Sequence, residues 1–423
     1  MLEKALEGLT VLDMSRILAG PWCTQNLADL GADVIKVENP NGGDDTRSWG
    51  PPYPEGTGPE HGFSSYFAAA NRGKRSLTVN FGDRAGLEIL TKLAAKSDIL
   101  VENYKAGTLA RYGLGYDELK KINPRLIYCS ITGYGQSGPM AHKPGYDFVF
   151  QGTGGLMSYT GQPDGRPGAE PLRCGISLMD LSSGLYATSA ILAAVIQRAT
   201  TGEGQFIDFA LLDASVAINA NMAQTYLMTG VPPKRFGNAH PTIAPYEVFA
   251  TNDGFMILAI GNDSQFAKFC DVAGRAEIAQ DERYRTNAGR VAHRDTLREL
   301  VADIMATRGR EEWAADLERA GVPWGPINDL ADVFEDEQVK HRGMLQEVVH
   351  PVTGAHPQVR NPMLYDAPFD ADDAPPLNGE HSEEVLRDLG YTAEQIDELV
   401  AAGTTSRWRA PEDPASSGSM SVV

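Results

Sequence analysis

Cysteine is scarce: four residues in 423, Cys23, Cys129, Cys174 and Cys270, with no C-x-x-C pair among them. That excludes a disulfide scaffold and a thiolate-framed zinc site, and it fits reduced thiols in the cytoplasm. No metal site is expected. Cations are also in deficit, with 37 Lys and Arg against 56 Asp and Glu, a formal charge of −19. Nucleic acid is not an expected partner, because phosphate binding needs a surplus of positive side chains. Long apolar runs are missing too. The two uncharged stretches, Leu181 to Gln197 and Ala214 to Pro233, are interrupted by small and polar residues, which favours core helices over membrane spans. The opening MLEKALEGLTVLD has no basic stretch followed by an apolar one, so no signal peptide is expected.

What is present is ordinary for a globular chain: 42% hydrophobic and 22% charged residues. The length argues for two domains. Strand and helix patterns alternate early: strands over Leu9 to Met14, Asp33 to Glu38, Asp98 to Asn103 and Arg125 to Ile131, with helices after Pro21, over Arg84 to Lys96 and over Tyr116 to Ile122. This alternation predicts an α/β domain with a doubly wound, Rossmann-like parallel sheet. No G-x-G-x-x-G follows the first strand, so the dinucleotide fingerprint is absent.

A long polar loop, Asn39 to Gly73, interrupts the alternation. A strand over Phe206 to Ala210 and a helix over Leu211 to Met228 lead to the Gly230-Val231-Pro232-Pro233 break. A large domain is therefore expected over 1–229, a smaller α+β domain over 230–325, a return segment completing the large domain over 326–410, and a disordered tail over 411–423. The smaller domain should hold a hairpin (Tyr246 to Ala250, Phe255 to Ile260) and helices near Asp263 to Val272, Ala292 to Thr307 and Arg310 to Ala320.

Two features carry candidate chemistry. Asp180 stands where a polar-apolar run meets the uncharged helix. It is either an N-cap or a carboxylate kept ionised at a helix start as a nucleophile. The run Asn71-Arg72-Gly73-Lys74-Arg75 is a compact basic cluster in an acidic chain, with Lys74 and Arg75 as candidates for phosphate.

Eight segments in order resemble the class III CoA-transferase family: Arg16 to Pro21 (RILAGP), Asp29 to Glu38 (DLGADVIKVE), Val101 to Tyr104 (VENY), Gly145 to Phe148 (GYDF), Met179 to Gly184 (MDLSSG), Thr201 to Gln205 (TGEGQ), Val322 to Asn328 (VPWGPIN) and Gly379 to Leu386 (GEHSEEVL). The resemblance implies an interlocked, ring-like homodimer with a CoA-binding large domain. It also implies that Asp180 forms covalent acyl intermediates, with a CoA thioester as substrate and no permanently bound cofactor. By the same resemblance Arg16, Ile17 and Ala19 contact CoA, Asn103, Tyr104 and Arg111 cradle its nucleotide end, and Lys143 and Tyr146 lie along the thioester path.

Related alpha-methylacyl-CoA racemases carry a His where this chain has Tyr146 and a Glu near Gly261-Asn262-Asp263. A Tyr titrates too high to replace that His, which disfavours racemisation. A non-catalytic CoA-binding protein would lack the nucleophile that this chain has. Leu18 replaces the Gln of formyl-CoA transferases, so formate and oxalate are poor substrates. The runs Gly42 to Pro52, Ser130 to Pro139 and Gly237 to Pro241 look closest to the branch that moves CoA from succinyl-CoA to dicarboxylates. Arg47, Arg72, Arg235 and His240 are the candidate cations for a second carboxylate.

Overall fold

The computed structural model describes residues 4–54, 58, 62–363 and 374–408. The expected tail over 411–423 lies outside the described residues. The chain divides into two compact units, the first comprising Met1–Gly155, Cys174–Ala220 and Lys340–Val423, the second Leu156–Arg173 and Asn221–Val339.

The first unit is built on β1 (Thr10–Asp13), α1 (Ala19–Asp29), β2 (Asp33–Glu38), α2 (Ser65–Asn71), β3 (Lys74–Thr78), α3 (Arg84–Lys96), β4 (Ile99–Glu102), α4 (Tyr116–Ile122), β5 (Ile127–Thr132) and α5 (Asp147–Thr153). The four-residue α6 (Leu156–Tyr159) belongs to the second unit; the first resumes with α7 (Leu178–Thr201), β6 (Phe206–Ala210) and α8 (Leu211–Ala217). All six strands pair in parallel in the order β3-β2-β1-β4-β5-β6. Parallel strands are covered on both faces, and every residue of β4 and β5 is buried. The order reverses between β1 and β4, and at such a point the connections leave in opposite directions and open a crevice beyond the strands' C-terminal ends.

Sequence periodicity placed α3, α4, β2 and β6 at their observed bounds, and it missed β3. Lys74 and Arg75, read as a basic cluster that could bind phosphate, are the first residues of that strand, pairing with Val34 and Ile35. The expected helix over Leu211 to Met228 is two helices. The two are separated by Ile218 and Asn219; Ala220, the first residue of the second helix, has φ 41°, and the Asn219 amide donates to Gly154 O and Ser215 O.

The second unit contains α9 (Ala220–Thr229) from Asn221 onward, β7 (Tyr246–Thr251), β8 (Gly254–Ala259), α10 (Asp263–Val272), α11 (Ala276–Gln280), α12 (Asn287–Ala292), α13 (Arg294–Met305), α14 (Arg310–Ala320), β9 (Trp324–Pro326) and α15 (Leu330–Glu335). Its antiparallel sheet runs β7-β8-β9, over a core containing Trp313, Phe266, Phe269 and Leu258. The unit is wider than the expected 230–325, because it also takes in 156–173 and runs on to 339. The chain then re-enters the first unit through α16 (Glu337–His341), an antiparallel pair β10 (Leu345–His350) and β11 (Gly354–Val359), α17 (Ser382–Asp388) and α18 (Ala393–Ala401). Val385, Leu386 and Ile396 join the core that packs Leu12, Ile35, Leu77 and Leu100.

Candidate active site

The crevice beyond β1, β4 and β5 is a cavity of about 360 Å³. Three loops and one helix end form it: Arg16 to Ala19 after β1, Asn103 to Thr108 after β4, Ile131 to Gly133 at the end of β5, and Asp180 in the first turn of α7. Lys143, Tyr146 and Leu211 complete the wall. A larger cavity of about 820 Å³ in the same unit, between Trp22, Phe63, Met344 and Pro362, has no carboxylate among its lining residues and does not include Asp180.

Asp180 is not the cap of its helix. The N-cap position of α7 is Ser177, whose side chain makes no capping bond. The capping acceptor comes from α5: Asp147 Oδ1 accepts the backbone N–H of Met179 at 2.7 Å and of Asp180 at 3.4 Å. Asp147 Oδ2 accepts from Gln151 Nε2 at 2.7 Å, and Gln151 Oε1 in turn accepts the N–H of Cys174 at 2.8 Å. With the orphan N–H groups served by Asp147, the Asp180 side chain is released from that task and faces the cavity. Among the described residues its carboxylate has no hydrogen-bond partner. Burial, and then the negative charge of Asp147, push its pKa up to about 7. This corrects the expectation of a carboxylate kept ionised at the helix start: Asp180 changes charge near neutral pH. The phenol of Tyr66, on α2, has its pKa raised by burial and then by the charge of Asp180.

The first loop is strained. Ile17 has φ 70°, a left-handed conformation that a β-branched side chain rarely adopts. Asn103 spends its amide on this loop, accepting from Arg16 N at 2.9 Å and donating to Arg16 O at 2.6 Å. Arg16 pairs with Asp45, and it lines a second cavity of about 400 Å³ shared with Asn39, Val79, Asn80, Phe81 and Tyr104. Arg16 and Tyr104 belong to both walls. Burial raises the Tyr104 phenol to about 12, so it stays neutral at physiological pH.

The structure brings together Arg16, Ile17, Ala19, Asn103, Tyr104, Lys143, Tyr146 and Asp180, all expected from sequence. Others are engaged elsewhere. Lys74 is fully buried, with Nζ donating to Asp13 Oδ2 (3.1 Å), Pro21 O (3.0 Å) and Asn71 Oδ1 (2.9 Å), which leaves no proton for a phosphate. Arg75 pairs with Asp33, Glu384 and Asp388 and lines neither cavity. Arg111 is exposed and lines neither as well.

The four candidate cations for a second carboxylate all have internal partners. Arg47 forms a two-pronged buried pair with Glu38 (2.6 and 2.7 Å), and Arg72 one with Asp29 (2.5 and 2.8 Å). Arg235, in the second unit, pairs with Asp164. His240 packs on Tyr246, and partial burial followed by Arg294 holds its imidazole below the usual range, hence neutral. Asp263, at the racemase position, is paired with the buried Arg290 at 2.8 Å.

Sequence reading missed Asp147, Tyr66 and the Val79-Asn80-Phe81 wall. The last had a usable signal: polar and apolar residues alternate from Ser76 to Phe81 as a strand requires, and the stretch after a parallel strand's C-terminal end lines the crevice.

Fold and site together define an α/β protein with an unpartnered carboxylate in a crevice at a topological switch point. The chain belongs to CoA-transferase family III, whose profile matches residues 6–382, and it is a CoA-transferase. It is 46% identical to succinate–glutarate CoA-transferase of Agrobacterium fabrum, over 91% of this chain and 95% of that one. It is 44% identical to mouse succinyl-CoA:glutarate CoA-transferase, over 95% and 90%. Among solved structures, a CAIB/BAIF family protein from Brucella suis superposes with a TM-score of 0.81 at 47% identity, covering 91% of this chain and 99% of that one.

Proposed function

We propose that the chain moves CoA from succinyl-CoA to glutarate, or to a dicarboxylate of similar length, through covalent intermediates on Asp180. The observation that carries this reading is the unpartnered Asp180 carboxylate at the cavity wall. One Asp180 oxygen attacks the thioester carbonyl, the C–S bond breaks, and the CoA thiolate leaves behind a mixed succinyl-aspartyl anhydride. The thiolate then attacks the Asp180 carbonyl carbon, which forms an aspartyl-CoA thioester and releases succinate. A glutarate carboxylate attacks that thioester, expelling the thiolate and forming a glutaryl-aspartyl anhydride. Attack of the thiolate on the glutaryl carbonyl gives glutaryl-CoA and restores the Asp180 carboxylate. No external proton donor is consumed, because each nucleophile and each leaving group is an anion.

In this reading CoA runs from the second cavity, between Asn39, Phe81 and Tyr104, to the Asp180 cavity, with Arg16 at the junction. A homodimer is part of the proposal. Support comes from α7, the longest helix among the described residues, whose Leu185, Tyr186 and Ile196 are exposed at 52%, 48% and 72%. An apolar face of that kind calls for a protein partner.

The test is to give purified protein succinyl-CoA and a panel of mono- and dicarboxylates and to separate the CoA esters formed. Glutaryl-CoA should dominate. Fast formation of a monocarboxylate ester with no dicarboxylate ester would overturn the acceptor assignment.

A further inference from the structure

We propose that the buried pair Lys36–Asp44 is a positioning device for the transfer reaction: it holds Ile17 in its left-handed conformation and thereby fixes the wall of the Asp180 cavity. The inference rests on the reading of that cavity as the acyl-CoA site.

Every peptide group from Ser15 N to Ile17 N has an assigned partner. Asp13 Oδ1 accepts Ser15 N at 2.9 Å, and Lys36 Nζ donates to Ser15 O at 3.0 Å. Asn103 takes both Arg16 groups, and the two Asp44 oxygens each lie 3.3 Å from Ile17 N. Lys36 Nζ also bonds Asp44 Oδ2 at 2.9 Å, so one ammonium fixes the residue two before the strained position and the carboxylate that holds the strained position itself. The side chains of the pair are 0% and 1% exposed, hence shielded from salt. Asp44 is further fixed by Thr46, whose N–H and hydroxyl donate to Oδ1 at 3.0 and 2.8 Å.

A left-handed β-branched residue persists only where its surroundings over-determine it. Here they do, and the loop so held carries Arg16, Ile17, Leu18 and Ala19 along the cavity wall. The space behind the loop is equally constrained, since a Cβ on Gly20 would fall 2.2 Å from Ser15 Cβ. Lys36 sits mid-strand in β2, and Asp44 follows in the polar loop. Neither lines the Asp180 cavity, and although both border the second one, their side chains are 0% and 1% exposed and their charged atoms bond each other and the loop, so they act through the loop rather than on substrate.

The experiment is a double-substitution cycle on the full-length enzyme, crossing Asp44→Ala with Ile17→Gly and measuring kcat and KM for succinyl-CoA. Glycine takes positive φ without strain, so the clamp has less to hold once position 17 is glycine. Asp44→Ala in the natural background should lower kcat/KM by about tenfold or more, whereas in the Ile17→Gly background it should change kcat/KM by less than about threefold. An equal loss in both backgrounds would overturn the proposal and leave the pair as a general stabiliser. Should Asp44→Ala fail to fold, Asp44→Asn keeps the volume, removes the charge that holds Lys36, and replaces it in the cycle. Asp180→Asn is run alongside: if it retains full activity, the reading of the site has failed, whereas an inactive Asp180→Asn with an additive cycle isolates the failure to the clamp.

Discussion

Asp147 and Asp180 face each other across the start of α7, and Asp147 does two things to its neighbour at once. Its Oδ1 accepts the N–H groups of Met179 and Asp180, which fixes the helix end, and its charge raises the Asp180 pKa beyond what burial alone does. As the proposed nucleophile, a carboxylate with a pKa of about 7 is less available at low pH than a surface carboxylate and more basic once ionised.

The first prediction concerns that coupling. In the proposed mechanism the ionised form of Asp180 is the reactive one, so kcat/KM for succinyl-CoA should fall on acidification with an apparent pKa of about 7. Asp147→Asn removes the neighbouring charge and can retain the carbonyl acceptor for Met179 N–H. The acid limb should then move to lower pH by about half a unit or more. An unmoved limb would show that burial alone sets the titration.

The same shift links to stability. Folding raises the Asp180 pKa from 3.8 to about 7, so between those values the folded chain binds more protons at this site than the unfolded one. The residue's contribution to stability therefore worsens as pH rises through that window. Asp180→Asn should be stabilising by on the order of 1 kcal/mol at about pH 8 and close to neutral at about pH 4. Thermal unfolding at the two pH values checks it.

Much of this arrangement was legible in the sequence, and the residues show why the rest was not. β4 opens on the apolar run Ile99-Leu100-Val101 because parallel strands are covered on both faces, and α3 announces itself through apolar periodicity and the Asp83 cap, which accepts Gly86 N–H at 2.7 Å. β3 opens on Lys74 and Arg75, and a composition-based reading takes two adjacent cations for a surface cluster. Only the fold reveals that Asp13, sixty-one residues away, neutralises Lys74 inside the sheet. Asp180 could be recognised through the MDLSSG segment, but its release from capping could not, because the replacement acceptor is on another helix. The intended cations for a second carboxylate failed for the same reason: Glu38, Asp29 and Asp164 are their partners in space and not in local sequence.

That correction is itself testable. Lys74→Met leaves Asp13 buried beside Lys36 without its second cation, and it should cost about 3–5 kcal/mol of stability. Arg75→Ala breaks a partly exposed ion-pair group and should cost about 1 kcal/mol or less, with KM for succinyl-CoA changed by less than about twofold. Chemical denaturation and steady-state kinetics separate the two. A large KM increase in Arg75→Ala would restore it as a CoA ligand.

Packing behind the nucleophile gives another expectation. A Cβ on Gly184, one turn beyond Asp180, would come 2.8 Å from the Ala19 carbonyl oxygen and 2.9 Å from Trp22 Cδ1. Gly184→Ala should therefore push α1 and α7 apart, lowering stability by about 1–3 kcal/mol and kcat by about tenfold, since both walls of the cavity shift. Unchanged kcat in a destabilised variant would show that the two effects are separable.

The central claim is that Asp180 is acylated during turnover. The direct measurement is to incubate the enzyme with succinyl-CoA, trap with hydroxylamine and map the modified residue by mass spectrometry. A hydroxamate on Asp180, absent without succinyl-CoA and absent in Asp180→Asn, is the predicted result. Undiminished CoA transfer with Asp180 unmodified, or with the label on another residue, would contradict it.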